Sequence, residues 1–595
     1  MCGIFFIHDR NKNISKTYLK KTIQKISYRG PDNQSIFIKN NVGMAHARLS
    51  IIDLSNEANQ PFQSSDNNYT ITYNGEIYNF QEIKEKLIEK GIKFRTNSDT
   101  EVLLNSYIYW GETFIKKLNG MFAFVIFDKK NKEVFVGRDR FGVKPLYYLN
   151  YKNLLIFSSE IKGILNYMTK VEINTQSIYE YFVFQNLLGN KTFFKHINIF
   201  PYGCFSKFNI ENCQQIKTKR YWDFCFSNEH TNTNDLEKIN FLLRNSVKKN
   251  LVADVSLAFY LSSGLDSTLV NVIANNYCKK LNTYSCGFKI RNKKLKHFDE
   301  SKGAEQTAKF LNSTHTSFLV NSNDNIKYLN KLVYHLEDLK LGQSYPNYLI
   351  AKEVSKKHKI VISGAGGDEL FAGYIWRYES IFQKSRNHFL EHYFQKCQRV
   401  LNVNSLVNVF NNYNNSKKNR IKDSFYSYFE SEKFDDSQED YLNQIQNYEC
   451  KTFLQGYLNL EDKLSMANGI ETRVPFLEND LFDFSMKLSH NQKLKIENQL
   501  IVEGKLIIRK LLKNNYPSVS AQKKQGFAAP DFEWYKDKLK GNDLNKFSDF
   551  KFSKEFLNIN NLKIKIDHYK NHDPHRFKSL IWNMLNFEKL LEIYF

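Results

Sequence analysis

Two stretches of this 595-residue chain carry residue types able to do covalent chemistry. The first is Cys2. Removing Met1 ahead of a small residue leaves a free α-amine that titrates near about 8, so it can act as base for its own thiol. The second is Ser262-Ser263-Gly264-Leu265-Asp266-Ser267, set between the apolar runs 255–261 and 268–274. This reads as a strand, a turn of small residues and a helix. Such a turn lets backbone N–H groups approach an anion, and the helix N-terminus adds partial positive charge. Asp266 adds an oxygen ligand for magnesium carried by phosphate. No Gly-Lys-Ser/Thr follows, so the turn is not a Walker A loop. Taken alone it reads equally well as a serine-capped βα turn.

A second glycine-rich turn, Ser363-Gly364-Ala365-Gly366-Gly367-Asp368-Glu369, follows the apolar run 359–362. Glycines ending in paired carboxylates suit a nucleotide and metal site. The plainer reading is a turn followed by the first acids of a helix.

The elements that must position these residues differ along the chain. Short alternating runs at 4–8, 42–45, 70–73, 121–127 and 133–137 predict a largely antiparallel sheet region over 2–200. Pro201, Gly203 and the polar run 227–235 mark 201–235 as an inter-domain passage. From 236 onward, Leu236, Ile239, Leu242, Leu243 and Val247 repeat at helical spacing ahead of the phosphate turn. Strand runs at 281–288 and 359–362 with intervening helical stretches predict a doubly wound parallel sheet, with ligand at the strand C-terminal ends. Residues 376–450 hold no Gly or Pro and read as an added helical segment within the second domain, 236–595.

Composition narrows the partners. The net charge of +23 comes from lysines scattered through the chain rather than from a block, so no nucleic-acid partner is expected. No apolar run approaches the roughly 18 residues of a membrane span, and no charged-then-apolar leader opens the chain, so a cytoplasmic location without membrane partners is expected. The eight cysteines include no Cys-x-x-Cys pair, which argues against zinc and a disulfide framework. Oligomeric state is not legible; a homodimer is one open assembly.

In the first region lie Tyr28-Arg29-Gly30-Pro31-Asp32, His46-Ala47-Arg48-Leu49-Ser50-Ile51, Tyr73-Asn74-Gly75-Glu76-Ile77-Tyr78-Asn79 and Ser98-Asp99-Thr100-Glu101. With Cys2 these resemble the class II glutamine amidotransferases, an α+β N-terminal-nucleophile sandwich of two antiparallel sheets between helices. The resemblance implies Cys2 as nucleophile, with Asn74 and the Gly75 N–H as oxyanion donors. It implies Arg48 on the glutamine α-carboxylate, and Asn74, Glu76 and Asp99 on the rest of the amino-acid head. Each has a plain alternative: Asn74-Gly75 is also a hairpin signal, and Ser98-x-x-Glu101 is also a capping box with Asp99 in the first turn.

The turn at 262–267 resembles the pyrophosphate loop of ATP-pyrophosphatase domains, with Ser263 where that family usually has glycine. Were positive φ required there, Ser263 would be strained. With the turn at 363–369, Glu461-Asp462-Lys463-Leu464-Ser465-Met466 and Glu471-Thr472-Arg473-Val474-Pro475-Phe476-Leu477, the second domain resembles glutamine-hydrolysing asparagine synthetases. This implies ATP and Mg2+. Backbone at Leu261, Cys286 and Gly287 would frame adenine, and Ser262, Ser263, Gly264, Asp266, Ser267, Ser363 and Gly364 would hold the phosphates. Asp266 and Asp368 would hold magnesium, Lys463 would steady phosphate charge, and Arg473 would be structural. Lys524-Gln525-Gly526-Phe527 and Pro530 match a late family element.

One departure matters for substrate. The family usually carries an acid at the position of Ala365, associated with activating aspartate. Either another residue takes that role or the acceptor is not aspartate; Glu337 is one residue expected near the acceptor. The expectation is therefore an enzyme that hydrolyses glutamine at Cys2 and amidates an adenylated carboxylate. Aspartate going to asparagine, with AMP and pyrophosphate released, leads; a sugar or peptide-precursor carboxylate is the alternative. The intact set Cys2, Arg48, Asn74, Asp99, Asp266 and Asp368 argues against a silent binding homologue.

Overall fold

The computed structural model describes residues 2–211, 214–229, 234–290, 295, 298–340, 344–430, 435–513, 529–538 and 549–595. The late element at 524–527 lies outside the described residues.

The first domain is built on two six-stranded sheets. One runs Ile197–Ile199, Tyr147–Tyr151, Leu154–Ser158, Gly3–Asp9, Val42–Arg48, Asn33–Lys39, and the other Gln214–Arg220, Cys204–Asn209, Glu133–Arg138, Gly120–Asp128, Tyr69–Ile77, Phe62–Gln63. Every adjacent pair in both sheets for which a register is defined is antiparallel. Period-two alternation explains the layering. Ile4, Phe6, Val42 and Met44 point inward to meet Ala123, Val125, Val134 and Val136 of the other sheet. Phe5, Ile7 and Ala45 point outward onto Leu19 and Ile23 of the helix Lys16–Lys25. On the far side Ile71, Tyr73, Phe122, Phe124 and Phe135 pack against the helices Phe80–Ile88 and Asp99–Trp110. Both sheets are thus buried on both faces between helices, as expected of the N-terminal-nucleophile sandwich.

The second domain holds a five-stranded sheet in the order Thr314–Val320, Asn282–Phe288, Leu257–Tyr260, Ile360–Ile362, Glu471–Arg473, with every pair parallel. The two phosphate-side turns leave the C-terminal ends of the neighbouring strands Leu257–Tyr260 and Ile360–Ile362. Adjacent strands bring residues roughly a hundred positions apart to one edge.

The expected passage at 201–235 needs correction. Cys204–Asn209 and Gln214–Arg220 extend the second sheet of the first domain, so the crossing starts after residue 220. Pro201 and Gly203 belong to the turn into that strand pair: the Gly203 N–H bonds Asp139 O and its carbonyl accepts from Tyr221. Residues 376–450 carry the helices Arg386–Cys397, Asn415–Tyr426 and Gln438–Glu449. Phe425 of this segment stacks on Phe184 of the first domain, Phe394 meets that ring edge-on, and Phe410 sits edge-on to Tyr179 and Phe182. The added helices therefore bind the two domains through an aromatic seam.

Candidate functional site: two centres joined by buried charges

Cys2, Arg48, Tyr73, Gly75, Glu76, Ser98 and Asp99 line one cavity. The Cys2 backbone N–H donates to Asn74 Oδ1 at 2.9 Å. The other end of that amide, Nδ2, is buried without a hydrogen-bond partner, so a strong donor stands ready beside the cysteine. Asn74-Gly75 lies inside the strand Tyr69–Ile77, paired with Ala123 and Phe122, which excludes the hairpin reading. Gly75 is required by close approach: a Cβ there would meet Met121 O at 2.2 Å. Burial pushes the Cys2 thiol above its ordinary value, and Arg48 is among the groups drawing it back.

Arg48 is buried, and its guanidinium donates to Ser55 O, Asn59 Oδ1 and Asp53 O, which fixes its plane at the cavity wall. Both readings of the stretch 98–101 hold at once. Ser98 Oγ caps the helix by accepting from Glu101 N, while the first-turn Asp99 carboxylate faces the cavity and accepts from Tyr73 OH at 2.7 Å and Ile77 N at 3.1 Å. Burial pushes Asp99 up to about 6, against those hydrogen bonds. Glu76 is driven well above the usual carboxylate range by burial, opposed by Arg473 at 3.4 Å.

One wall of this cavity comes from the second domain. Glu471 lines it, a placement the motif around it did not signal. Burial alone would raise this carboxyl; nearby positive charges, Arg473 and Lys144 among them, hold it at about 2. Arg473 bonds Glu471 at 2.6 Å and the carbonyls of Asn250 and Val252. Its own carbonyl accepts from Ser363 N at 2.9 Å. A residue expected to be structural thus touches both centres.

At the second centre the 262–267 turn leads into the helix Leu265–Ala274. Ser262 Oγ lies 2.8 Å from Ser267 Oγ and accepts from Gly264 N, closing the turn. Ser263 has no positive φ, so serine serves there by small size. Gly364 lies against the backbone of Asp266 and Ser267, so the two turns are in contact. Leu261 N donates to Tyr284 O, and Cys286 is buried beside it on the next strand. Gly287 faces Asp299 and Ser301 closely enough that a Cβ would meet Asp299 Oδ1 at 2.4 Å.

Asp266 and Asp368 converge as expected, on a cation the sequence reading missed. Lys505 Nζ pairs with Asp266 Oδ2 and lies 2.5 Å from Asp368 Oδ1. Lys505 sits at φ +58, an uncommon conformation for a residue with a Cβ, which persists only where surroundings fix it. Gly373 makes room for the pairing, because a Cβ there would meet Asp368 Oδ1 at 1.9 Å and Lys505 Cε at 2.4 Å. Two carboxylates converging on one cation form the hard, oxygen-only donor set that magnesium takes, with water and phosphate completing it. Among the described residues no three or more His, Cys, Asp and Glu side chains gather as a metal cage.

Lys463 and Glu337 are corrections. Lys463 is fully buried and bonds Leu336 O and the Glu337 carboxylate, with Glu160 at 3.4 Å. Glu337 accepts from the backbone N–H groups of Ile161 and Lys162 and pairs with Lys162 Nζ at 3.0 Å. Both are committed to the joint between domains. The reason is helical: on Gln455–Met466, residues 461 and 463 are about 200° apart, so the face bearing Lys463 meets the first domain. Arg29 completes the joint, donating to Cys2 O at 3.1 Å, Glu160 at 2.7 Å and Asp462 at 2.8 Å.

A cysteine beside an unpaired amide donor, linked through the buried Arg473 cluster to a second turn whose neighbour is a pair of carboxylates, is the arrangement of a two-site glutamine amidotransferase. The family model described as glutamine amidotransferase domain matches residues 1–222, and that described as asparagine synthase matches residues 238–592. The chain belongs to the asparagine synthase family. It is 31% identical over 581 residues to asparagine synthetase [glutamine-hydrolyzing] 1 of Bacillus subtilis (strain 168), covering 91% of this chain and 88% of that one. A second protein of that organism, asparagine synthetase [glutamine-hydrolyzing] 3, is 29% identical over 553 residues, covering 87% and 85%. Asparagine synthetase [glutamine-hydrolyzing] 2 of Arabidopsis thaliana is 29% identical over 421 residues, covering 67% and 64%.

Proposed function

We propose that the protein converts aspartate to asparagine with glutamine as nitrogen donor, ATP being split to AMP and pyrophosphate. Cys2 Sγ attacks the glutamine side-chain carbonyl, and the α-amine of Cys2 takes the thiol proton. The oxyanion accepts from Asn74 Nδ2 and the Gly75 N–H, dipoles already fixed before charge develops. Arg48 holds the α-carboxylate, and Glu76, Asp99 and Glu471 surround the α-ammonium. Ammonia leaves, and water releases glutamate from the thioester.

At the second centre the acceptor carboxylate attacks the α-phosphorus of ATP and pyrophosphate departs. Ammonia then displaces AMP from the acyl carbon. Lys505 offsets charge building on the phosphates, while the 262–267 turn and Ser363-Gly364 hold them with backbone N–H groups. Magnesium, held by Asp266 and Asp368, would neutralise phosphate charge when bound with the nucleotide. The observation that carries the reading is Asn74, whose one amide end orients Cys2 while the other is an unpaired buried donor.

One observation keeps a second acceptor in view: Ala365, on the second turn, carries no acid. The test is a single reaction with ATP, magnesium, glutamine and either aspartate or a panel of sugar and peptidyl carboxylates, read by mass spectrometry. Asparagine, AMP and glutamate forming together only with aspartate is the expected result. AMP forming only with another carboxylate would move the acceptor, and no glutamate at all would overturn the glutaminase assignment.

A further inference from the structure

Glu461 stands on the same helix as Lys463 but on its opposite face. It is 8% exposed, and its Oε2 is buried without a hydrogen-bond partner. The Ser363 hydroxyl, on the second turn, lies close enough to draw this carboxyl down. That hydroxyl oxygen accepts from Ala365 N at 3.3 Å. The ionisable groups acting on Glu461 are Lys144 and Asp462 from the joint, and Tyr260 and Tyr457 from the nucleotide side. Tyr457 feels Asp368 as well. Lys144, fully buried and 3.8 Å from Asp462, also acts on Glu471 in the Cys2 cavity. Glu461 is therefore a buried carboxyl with one unpaired oxygen, beside the second turn and under the charges of the joint.

We infer that the Glu461 carboxylate is the base that receives the proton from ammonia as ammonia adds to the activated acceptor carboxyl. The inference rests on the acceptor-adenylation reading above. The nitrogen lone pair forms the C–N bond, the bond from the acyl carbon to the phosphate oxygen breaks with its electron pair leaving on AMP, and one N–H proton passes to Glu461 Oε2. Ala365 offers no proton acceptor on the neighbouring turn; Glu461 supplies one from the helix. Burial pushes this carboxyl up to about 7, with Ser363 drawing it down, which suits a base working near neutrality. The other buried acid nearby, Glu369, already accepts from Tyr374 OH at 3.0 Å and adjoins Asp368, so it is the poorer choice.

The test compares wild type with Glu461→Gln and Glu461→Asp, all using ammonia as nitrogen source. Two rates are followed, AMP formation from the acceptor and amide formation. Glutamine hydrolysis at Cys2 serves as the folding control. The expected result for Glu461→Gln is AMP formation within a few-fold of wild type and amide formation down by about 10²-fold or more. Per free ammonia, the wild-type amide rate should rise as pH passes about 7, and that rise should vanish in Glu461→Gln. Glu461→Asp should keep a reduced amide rate with the pH dependence still present. Amide formation by Glu461→Gln at the wild-type rate with an unchanged pH profile would overturn the inference alone. So would AMP and amide falling in equal proportion, which would make Glu461 a nucleotide-side group. Wild-type protein forming no AMP with any carboxylate offered would instead overturn the adenylation reading on which it rests.

Discussion

Around Cys2, most of the working groups come from short neighbouring runs: Asn74, Gly75 and Glu76 on one strand, Arg48 on another, and Asp99 at the start of one helix. The phosphate centre is assembled differently. Asp266, Asp368 and Lys505 come from three separate turns, and the lysine lies 239 residues from the first aspartate it holds. The first centre is a pocket of carboxylates walled by Arg48, with Arg473 paired to Glu76 and Glu471 behind them; the second is a pair of carboxylates sharing one ammonium. A site made of local runs tolerates the rest of the chain changing around it. A site made of three turns depends on the sheet that brings them together. Arg473 is where the two designs touch, its side chain against Glu76 and Glu471 and its carbonyl on Ser363.

The largest effect expected from breaking this contrast is at Lys505. Lys505→Ala should lower acceptor-dependent AMP formation by about 10³-fold or more, in line with loss of a cation that offsets phosphoryl-transfer charge, while glutamine hydrolysis continues. Equal loss of both activities would mean that the two centres are not separable. Asn74→Ala should cost about 10²–10³-fold in glutamine hydrolysis and leave AMP formation in place. A loss below tenfold would remove Asn74 from the oxyanion site.

Arg473→Met tests the junction. Removing one partner from a buried charge cluster leaves Glu471 and Glu76 uncompensated, at a cost of about 3–5 kcal/mol. A lower midpoint in thermal unfolding is expected, and an unchanged midpoint would show that the cluster contributes nothing net. The smallest effect is a pH dependence. Asp99 must be ionised to hold an ammonium, and its carboxyl sits at about 6. The charge is present above that value and lost below it. The KM for glutamine should therefore rise roughly tenfold between pH 7 and pH 5, as expected for a single carboxylate titrating. Asp99→Asn should abolish the dependence; a KM indifferent to pH in the wild type would exclude Asp99 from ammonium binding.

The same contrast sets how much was legible in the sequence. Cys2, Arg48, Asn74, Gly75, Glu76 and Asp99 form runs whose order carries information, and the structure brings all of them to one cavity or its wall. The parallel sheet and the two turns at the ends of its central strands were equally legible from strand, glycine and carboxylate patterns. Lys505 was not, because one lysine in a chain with 85 Lys and Arg residues has no local signature. Lys463 drew attention by sitting in a family-like run, yet its face of the helix turns it into the buried charges between the domains. Glu471 was hidden for a related reason: its partners in the cavity belong to the other domain. The start of the crossing between domains was misplaced because Cys204–Asn209 and Gln214–Arg220 form the outermost pair of their sheet, where alternation is weakest.

The central claim is that one chain makes ammonia at Cys2 and uses it at a second, independent centre. The most direct measurement is the nitrogen source accepted by Cys2→Ala, in reactions with ATP, magnesium, aspartate and either amide-¹⁵N glutamine or ¹⁵N ammonium. The account predicts that ¹⁵N from glutamine no longer enters the product, while ¹⁵N from ammonium enters it at a rate near that of the unaltered protein. Product labelled from glutamine in Cys2→Ala, or no product from either source, would contradict it.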